Sequence, residues 1–175
     1  MTYPVFATGD VLNASDMNAV GLWLVKTQTV GSGVSSVTVT SAFSSSYDSY
    51  KIIYTGGTGS TDMDINLTLG STATGYKWSA VYTTYNATPS GAGTAAGTFF
   101  GYGASATSSW AHGQFELHAP YLSKRTFFNA QNVNFAAGIN SVGFLDNTTS
   151  YTAFTLTCSS GTITGGTIRV YGYKP

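Results

Sequence analysis

Charge is scarce in this chain. Only 8% of its 175 residues are charged, and seven basic groups balance seven acidic ones, so the formal net charge is zero. No basic stripe is available to neutralise phosphates, which removes the main electrostatic term of nucleic-acid binding. Cysteine is nearly absent: Cys158 stands alone and excludes an internal disulfide. In YTAFTLTC it falls in phase with Phe154 and Leu156, which reads as a small buried hydrophobe and implies folding in a reducing cytoplasm. No apolar run approaches the ~20 residues that span a bilayer, and Met1–Asp10 has neither the basic nor the apolar region of a secretory signal. No membrane partner is expected.

Catalytic residue types are equally thin. Glu116 is the only glutamate, and His112 and His118 are the only histidines. Serine is abundant, yet no Gly-X-Ser-X-Gly elbow occurs, and neither histidine accompanies a nucleophile motif. Phosphate-cradling glycine motifs are missing as well. The expectation is a chain that is not an enzyme, with no catalytic residue, metal or cofactor.

What the chain does contain is hydroxyl and ring: 27 Thr, 21 Ser and 21 Gly, with 14% aromatic and 42% hydrophobic residues. That hydrophobic content excludes disorder, which needs low hydrophobicity and high net charge. Thr, Tyr, Phe and Val favour strands, and Gly favours tight turns. In TDMDINLTL, Met63, Ile65, Leu67 and Leu69 alternate with Asp62, Asp64, Asn66 and Thr68, the period of a strand with one wet face. The same alternation runs through LWLVKTQTV, VSSVTVTSAF, YKIIYT, YKWSAVYTTY, GQFELHA, KRTFFNA, YTAFTLTC and GTIRVYGY. Turns are expected at Gly31–Gly33, Gly56–Gly59, Asp146–Thr148 and Gly161–Gly166. No helical stretch intervenes to carry parallel crossovers, and no repeat of fixed period occurs. Roughly eight to ten short strands then make an all-β, antiparallel β-sandwich of jelly-roll type.

The opening residues differ from the rest. TGDVLNASDMNAVG places Asn13 as a helix cap and Asp16 where it complements the exposed amides, with Gly21 as the stop. One small helix is therefore expected in a short N-terminal arm, residues 1–21, ahead of a β-sandwich domain at 22–175. So short a helix has to dock to persist, and Phe6, Leu12, Met17 and Val20 are the residues that would attach it. Within the body, NATPSGAGTAAG (86–97) reads as a flexible loop.

Two surfaces are candidates for binding. In AHGQFELHA, His112, Gln114, Glu116 and His118 share one strand face, opposite Phe115 and Leu117. Same-face neighbours stand about 7 Å apart, so Glu116 and His118 could approach one ion while His112 could not, and a polar or interface patch is the plainer reading. In GTIRVYGYKP, Ile168 and Val170 point one way and Arg169, Tyr171 and Tyr173 the other. Tyr76, Trp78 and Tyr82 likewise share a face. Exposed aromatics anchor protein interfaces and stack on sugars, and buried ones are core.

Taken together, TGDVLNASDMNAVGLWLVKTQTV, SSVTVTSAFSSSYDSYKIIYTGG, TLGSTATGYKW, PYLSKRTFF and DNTTSYTAFTLTCSSGTITGGTIRVYGYK resemble small virion structural proteins of tailed, often aquatic, bacteriophages. GDVLNASDMN is similar to the start of tail-fibre and appendage proteins. The resemblance covers nearly the whole chain, most weakly at 86–110. It implies a part of the virion, assembled in the bacterial cytoplasm, with the arm as an attachment device. The leading expectation is a capsid decoration or cement protein, a homotrimer that binds the major capsid protein or another virion protein. A tail-fibre or appendage tip that recognises a host glycan is the alternative.

Overall fold

The computed structural model describes residues 8–9 and 21–173. The small helix expected after Asn13, together with Phe6, Leu12, Met17 and Val20, lies outside these residues. The described chain is all-β, with twelve strands and no helix. The strands are β1 (Leu22–Thr29), β2 (Ser36–Val39), β3 (Ser49–Gly59) and β4 (Met63–Leu69). After them come β5 (Tyr76–Thr84), β6 (Pro89–Gly97), β7 (Phe100–Ala106) and β8 (Ala111–His118). Last are β9 (Thr126–Val133), β10 (Ala137–Leu145), β11 (Phe154–Cys158) and β12 (Ile163–Tyr173).

Eight of these strands form two antiparallel sheets, β1-β12-β3-β8 and β2-β11-β4-β7. Counted along the chain, the first, last, third and sixth of the eight share one sheet. The second, seventh, fourth and fifth share the other. This is jelly-roll order. The remaining four strands are two inserted hairpins, β5–β6 and β9–β10, which pair with each other and attach to β8 through β9. The first sheet is thereby widened to eight strands, β1-β12-β3-β8-β9-β10-β5-β6.

Alternation places the core. In β4, Met63, Ile65, Leu67 and Leu69 are buried and the residues between them are not. In β8, Phe115 and Leu117 point inward as expected. Between the sheets Phe100 stacks on Phe128 at 4.7 Å, and Phe115 meets Phe154 edge-on at 6.0 Å. Three tyrosines are fully buried, and each hydroxyl has a partner, as burial of a polar tip requires. Tyr50 donates to Ser44 O at 2.9 Å, Tyr54 to Gly165 O at 3.0 Å and Tyr76 to Thr72 O at 3.1 Å. Burial pushes the phenols of Tyr54 and Tyr76 up to about 12. Cys158 is half-buried against the same core, in phase with Phe154 and Leu156, and burial raises its thiol pKa.

Three expected irregular segments are strand in whole or in part, the last of them Gly161–Gly166, which is β12 from Ile163 onward. Residues 86–97 are not a loop: a turn at Tyr85–Thr88 leads into β6, whose small residues let it lie close against β5. A Cβ on Gly93 would fall 2.7 Å from Trp78 O. Gly56–Gly59 is likewise no turn but the end of β3, where a bulge between Thr55 and Gly57 faces Gly165 and Gly166 of β12. Gly56, Gly165 and Gly166 take positive φ there, so the glycines bend a ladder rather than end it.

The sheets part at β8. Its first residues, Ala111 and His112, pair with β7, and Phe115–His118 pair with β9 on the same edge. Asn132 of β9 sits in the crotch of this fork, 6% exposed. Its Oδ1 accepts the Gln114 N–H at 2.8 Å, and its Nδ2 donates to Tyr102 O at 2.8 Å and Gly103 O at 3.0 Å. Ser141 Oγ donates to Gly101 O at 3.0 Å. Side chains from the inserted hairpins thus satisfy backbone groups that the diverging strands leave unpaired. Tyr76, Trp78 and Tyr82 share the inner face as expected, which makes them core: Tyr76 joins the main cluster, and Trp78 and Tyr82 pack on Tyr102.

Candidate binding face

Residues that alternate outward from the eight-stranded sheet form one continuous surface, which the register orders into rows. One row runs Leu22, Tyr173, Ser49, His118, Phe127, Phe144 and Lys77 across β1, β12, β3, β8, β9, β10 and β5. The next runs Leu24, Tyr171, Lys51, Glu116, Asn129, Val142 and Ser79. Tyr171, Tyr173, Glu116 and His118, two separate candidates in the sequence, therefore meet on this face.

Tyr173 donates its hydroxyl hydrogen bond to the Glu116 carboxylate. Burial first, then this carboxylate, pushes the Tyr173 phenol up to about 12. His118 Nδ1 lies 3.0 Å from Ser49 Oγ. His112 stands apart, opposite Thr55 and beside the fork. No group of three His, Cys, Asp or Glu side chains able to hold a metal occurs among the described residues.

The fork shapes what surrounds His112. As β9 leaves β8, a cleft of about 450 Å³ opens, lined by Val81, Thr83, His112, Gln131, Val133 and Asn140, with Asn132 also in its wall. A second depression of about 200 Å³ adjoins it at Gln131, lined by Lys51, Gln114, Glu116 and Asn129. Gln131 and Asn140 face each other across β9 and β10. The side-chain amides of Gln114, Asn129, Gln131 and Asn140 make no hydrogen bond among the described residues, while their backbone groups are held in the sheet. Four free amides thus surround one junction.

Near Asp146 the face carries its own charge cluster. Lys77 and Arg125 both contact the Asp146 carboxylate at 2.7 Å. The hydrogen bonds from Lys77 and then Arg125 hold its pKa below the usual carboxylate value. Both cations also lie over the Phe144 ring, at 5.6 and 5.7 Å from its centroid.

Sequence reading placed Gln114 on this face but missed Asn129, Gln131 and Asn140. The signal for two of them was present: the alternation in KRTFFNA continues through Gln131 and Val133. β10 was not expected, because Gly138 and Gly143 interrupt its apolar pattern. No protein-family model matches the chain, and no curated protein or solved structure matches it either.

Proposed function

We propose that the chain is a structural protein of a phage virion, a jelly-roll module fixed to the particle through its N-terminal segment and the apolar corner beside it. The observation that carries this reading is where exposed leucines stand. Leu22 and Leu24 are 43% and 56% exposed, in cross-strand register with Tyr173 and Tyr171. They open β1, so the apolar patch lies where the domain begins after residues 1–21. Contiguous exposed apolar surface rimmed by polar residues marks interaction sites.

The sequence resemblance gives the corner its partner, the capsid shell, and symmetric repetition makes weak contacts hold through multivalency. Jelly rolls serve in viral capsids and in lectins, a likeness of fold that raises the reading without carrying it. In this role the protein is a homotrimeric decoration or cement protein without catalytic function.

Quantitative protein analysis of purified particles tests it. A copy number commensurate with the capsid lattice, lost when residues 1–21 are deleted, is the expected result. A truncated chain that decorates at full occupancy, or particles without the polypeptide, overturns it.

A further inference from the structure

We propose that the cleft at the β8 fork is a binding site for neutral oligosaccharides, lying along the outer face of β9. The argument starts from donors and acceptors. A sugar hydroxyl both gives and accepts a hydrogen bond, and a carboxamide offers both functions side by side. Gln114, Asn129, Gln131 and Asn140 present four such groups, unpaired among the described residues, around two depressions that join at Gln131. Their supporting backbone is locked into ladders, so the amides are displayed by strands rather than by loops.

Apolar surface completes the pattern. Along β9 the outward residues run Phe127, Asn129, Gln131, Val133: an aromatic ring, two amides, an aliphatic. Phe127 is 52% exposed, and Val81, 67% exposed, stands beside Asn140. Alternating apolar and hydrogen-bonding strips match a pyranose, which has C–H faces and hydroxyl edges. Four outward residues span roughly 20 Å of strand, room for a short chain of sugars rather than one ring. The larger cleft alone falls within the roughly 300–1,000 Å³ of small-molecule sites.

The same facts reject other ligands. Among the described residues Lys51 is the one lysine or arginine lining the two depressions, and it lies opposite Glu116, so phosphate and acidic sugars gain little there. An extended peptide adds to a sheet edge, whereas β10 has a strand on each side and, where β9 leaves β8, the Asn132 side chain already takes up the Gln114 N–H and the Tyr102 and Gly103 carbonyls. This inference stands apart from the virion reading, because it uses no particle and no arm residue.

The test is titration of the full-length, isotope-labelled chain, followed by amide NMR. The probes are neutral cellohexaose, maltohexaose, mannohexaose, laminarihexaose and chitohexaose, with polysialic acid as the acidic control. At least one neutral oligomer should shift resonances of β8, β9 and β10 around Gln131, with affinity insensitive to salt. Gln131→Ala and Asn140→Ala, both exposed positions, should each weaken it about tenfold. Thr157→Ala, exposed on β11 of the other sheet, should leave it unchanged. The site is refuted if no neutral oligomer shifts these residues, or if the two amide variants bind as the parent does. Preference for the acidic control refutes it too. Loss of sugar binding leaves the particle assay intact, so the two readings fail separately.

Discussion

Replacing Asn132 with leucine probes the fork directly. The two side chains have similar size and shape, so the change removes polarity with little change in packing. Three hydrogen bonds are lost, from the Gln114 N–H and to Tyr102 O and Gly103 O, all between 2.8 and 3.0 Å. Asn132 is 6% exposed, so water cannot replace them without opening the fork. Each backbone group left unsatisfied in a buried site costs about 1–3 kcal/mol. Part of that returns from burying two methyl groups, at about 25 cal/mol per Å². The net expectation is about 3–4 kcal/mol of lost stability. Urea unfolding followed by fluorescence should show a lower midpoint at unchanged slope, and the melting temperature should drop by roughly 6–16 °C. Hydrogen exchange locates the effect, because the Gln114 amide should lose its protection while amides in β4 keep theirs. Gln131→Leu, one position along but outward, is the control and should stay within about 0.5 kcal/mol. If Asn132→Leu costs less than about 1 kcal/mol, the side chain does not hold the two sheets where they part, and the account of the fork is wrong.

Gly113→Ala should destabilise by about 1–3 kcal/mol, because its Cβ would fall 2.3 Å from Ala104 Cβ and 2.9 Å from Gly103 O; thermal unfolding reads this. The phenols of Tyr54 and Tyr76 give a second measurable slope, since each is raised from 10.0 to about 12. Between those values the unfolded chain has lost protons that the folded chain retains, so stability falls as pH rises. The loss is about 1.4 kcal/mol per pH unit for each tyrosine. It is absent below pH 10, and Tyr54→Phe should lower the slope by about 1.4 kcal/mol per pH unit in urea titrations. Leu24→Asp should leave the melting temperature of the isolated chain unchanged yet weaken its binding to stripped particles at least about tenfold, read by cosedimentation.

Much of the jelly roll was legible because its strands obey one rule: one face buried, the other wet. TDMDINLTL announces β4 without ambiguity, and the burial of Met63, Ile65, Leu67 and Leu69 follows that period. β6 and β7 break the rule for physical reasons. After Pro89, β6 is built of Gly, Ala, Ser and Thr, so composition suggests a loop, although close approach to β5 is what its glycines allow. β7 is buried on nearly every residue, since one side faces the main core and the other lies beneath the hairpins, and this erases alternation. The binding face was half legible. Outward Tyr171, Tyr173, Glu116 and His118 follow from their own strands, but their convergence depends on β12, β3 and β8 lying side by side, which local pattern does not encode. The amide junction depends on β10, a strand whose glycines hide it.

The two inserted hairpins explain why a site should sit at the fork. Their inner face contributes a small cluster of Ala80, Ala137 and Ile139 around Trp78, Tyr82 and Tyr102, and it sends Tyr76, Phe128, Ala130 and Leu145 into the main core. Most of the buried apolar residues still belong to the eight strands of the roll and the segments that join them. Outward, the hairpins add Asn129, Gln131 and Asn140, with Phe127, Val81 and Val133 around them. They also create the cleft itself, because β9 takes half of one edge of β8 and leaves β7 the other half. An unmodified roll would own His112, Gln114 and Glu116 on an even sheet, with no depression between diverging strands and no facing amides. The hairpins therefore serve the fold twice, closing the core with Phe128 and Tyr76 on one face and displaying the amides of the proposed cleft on the other.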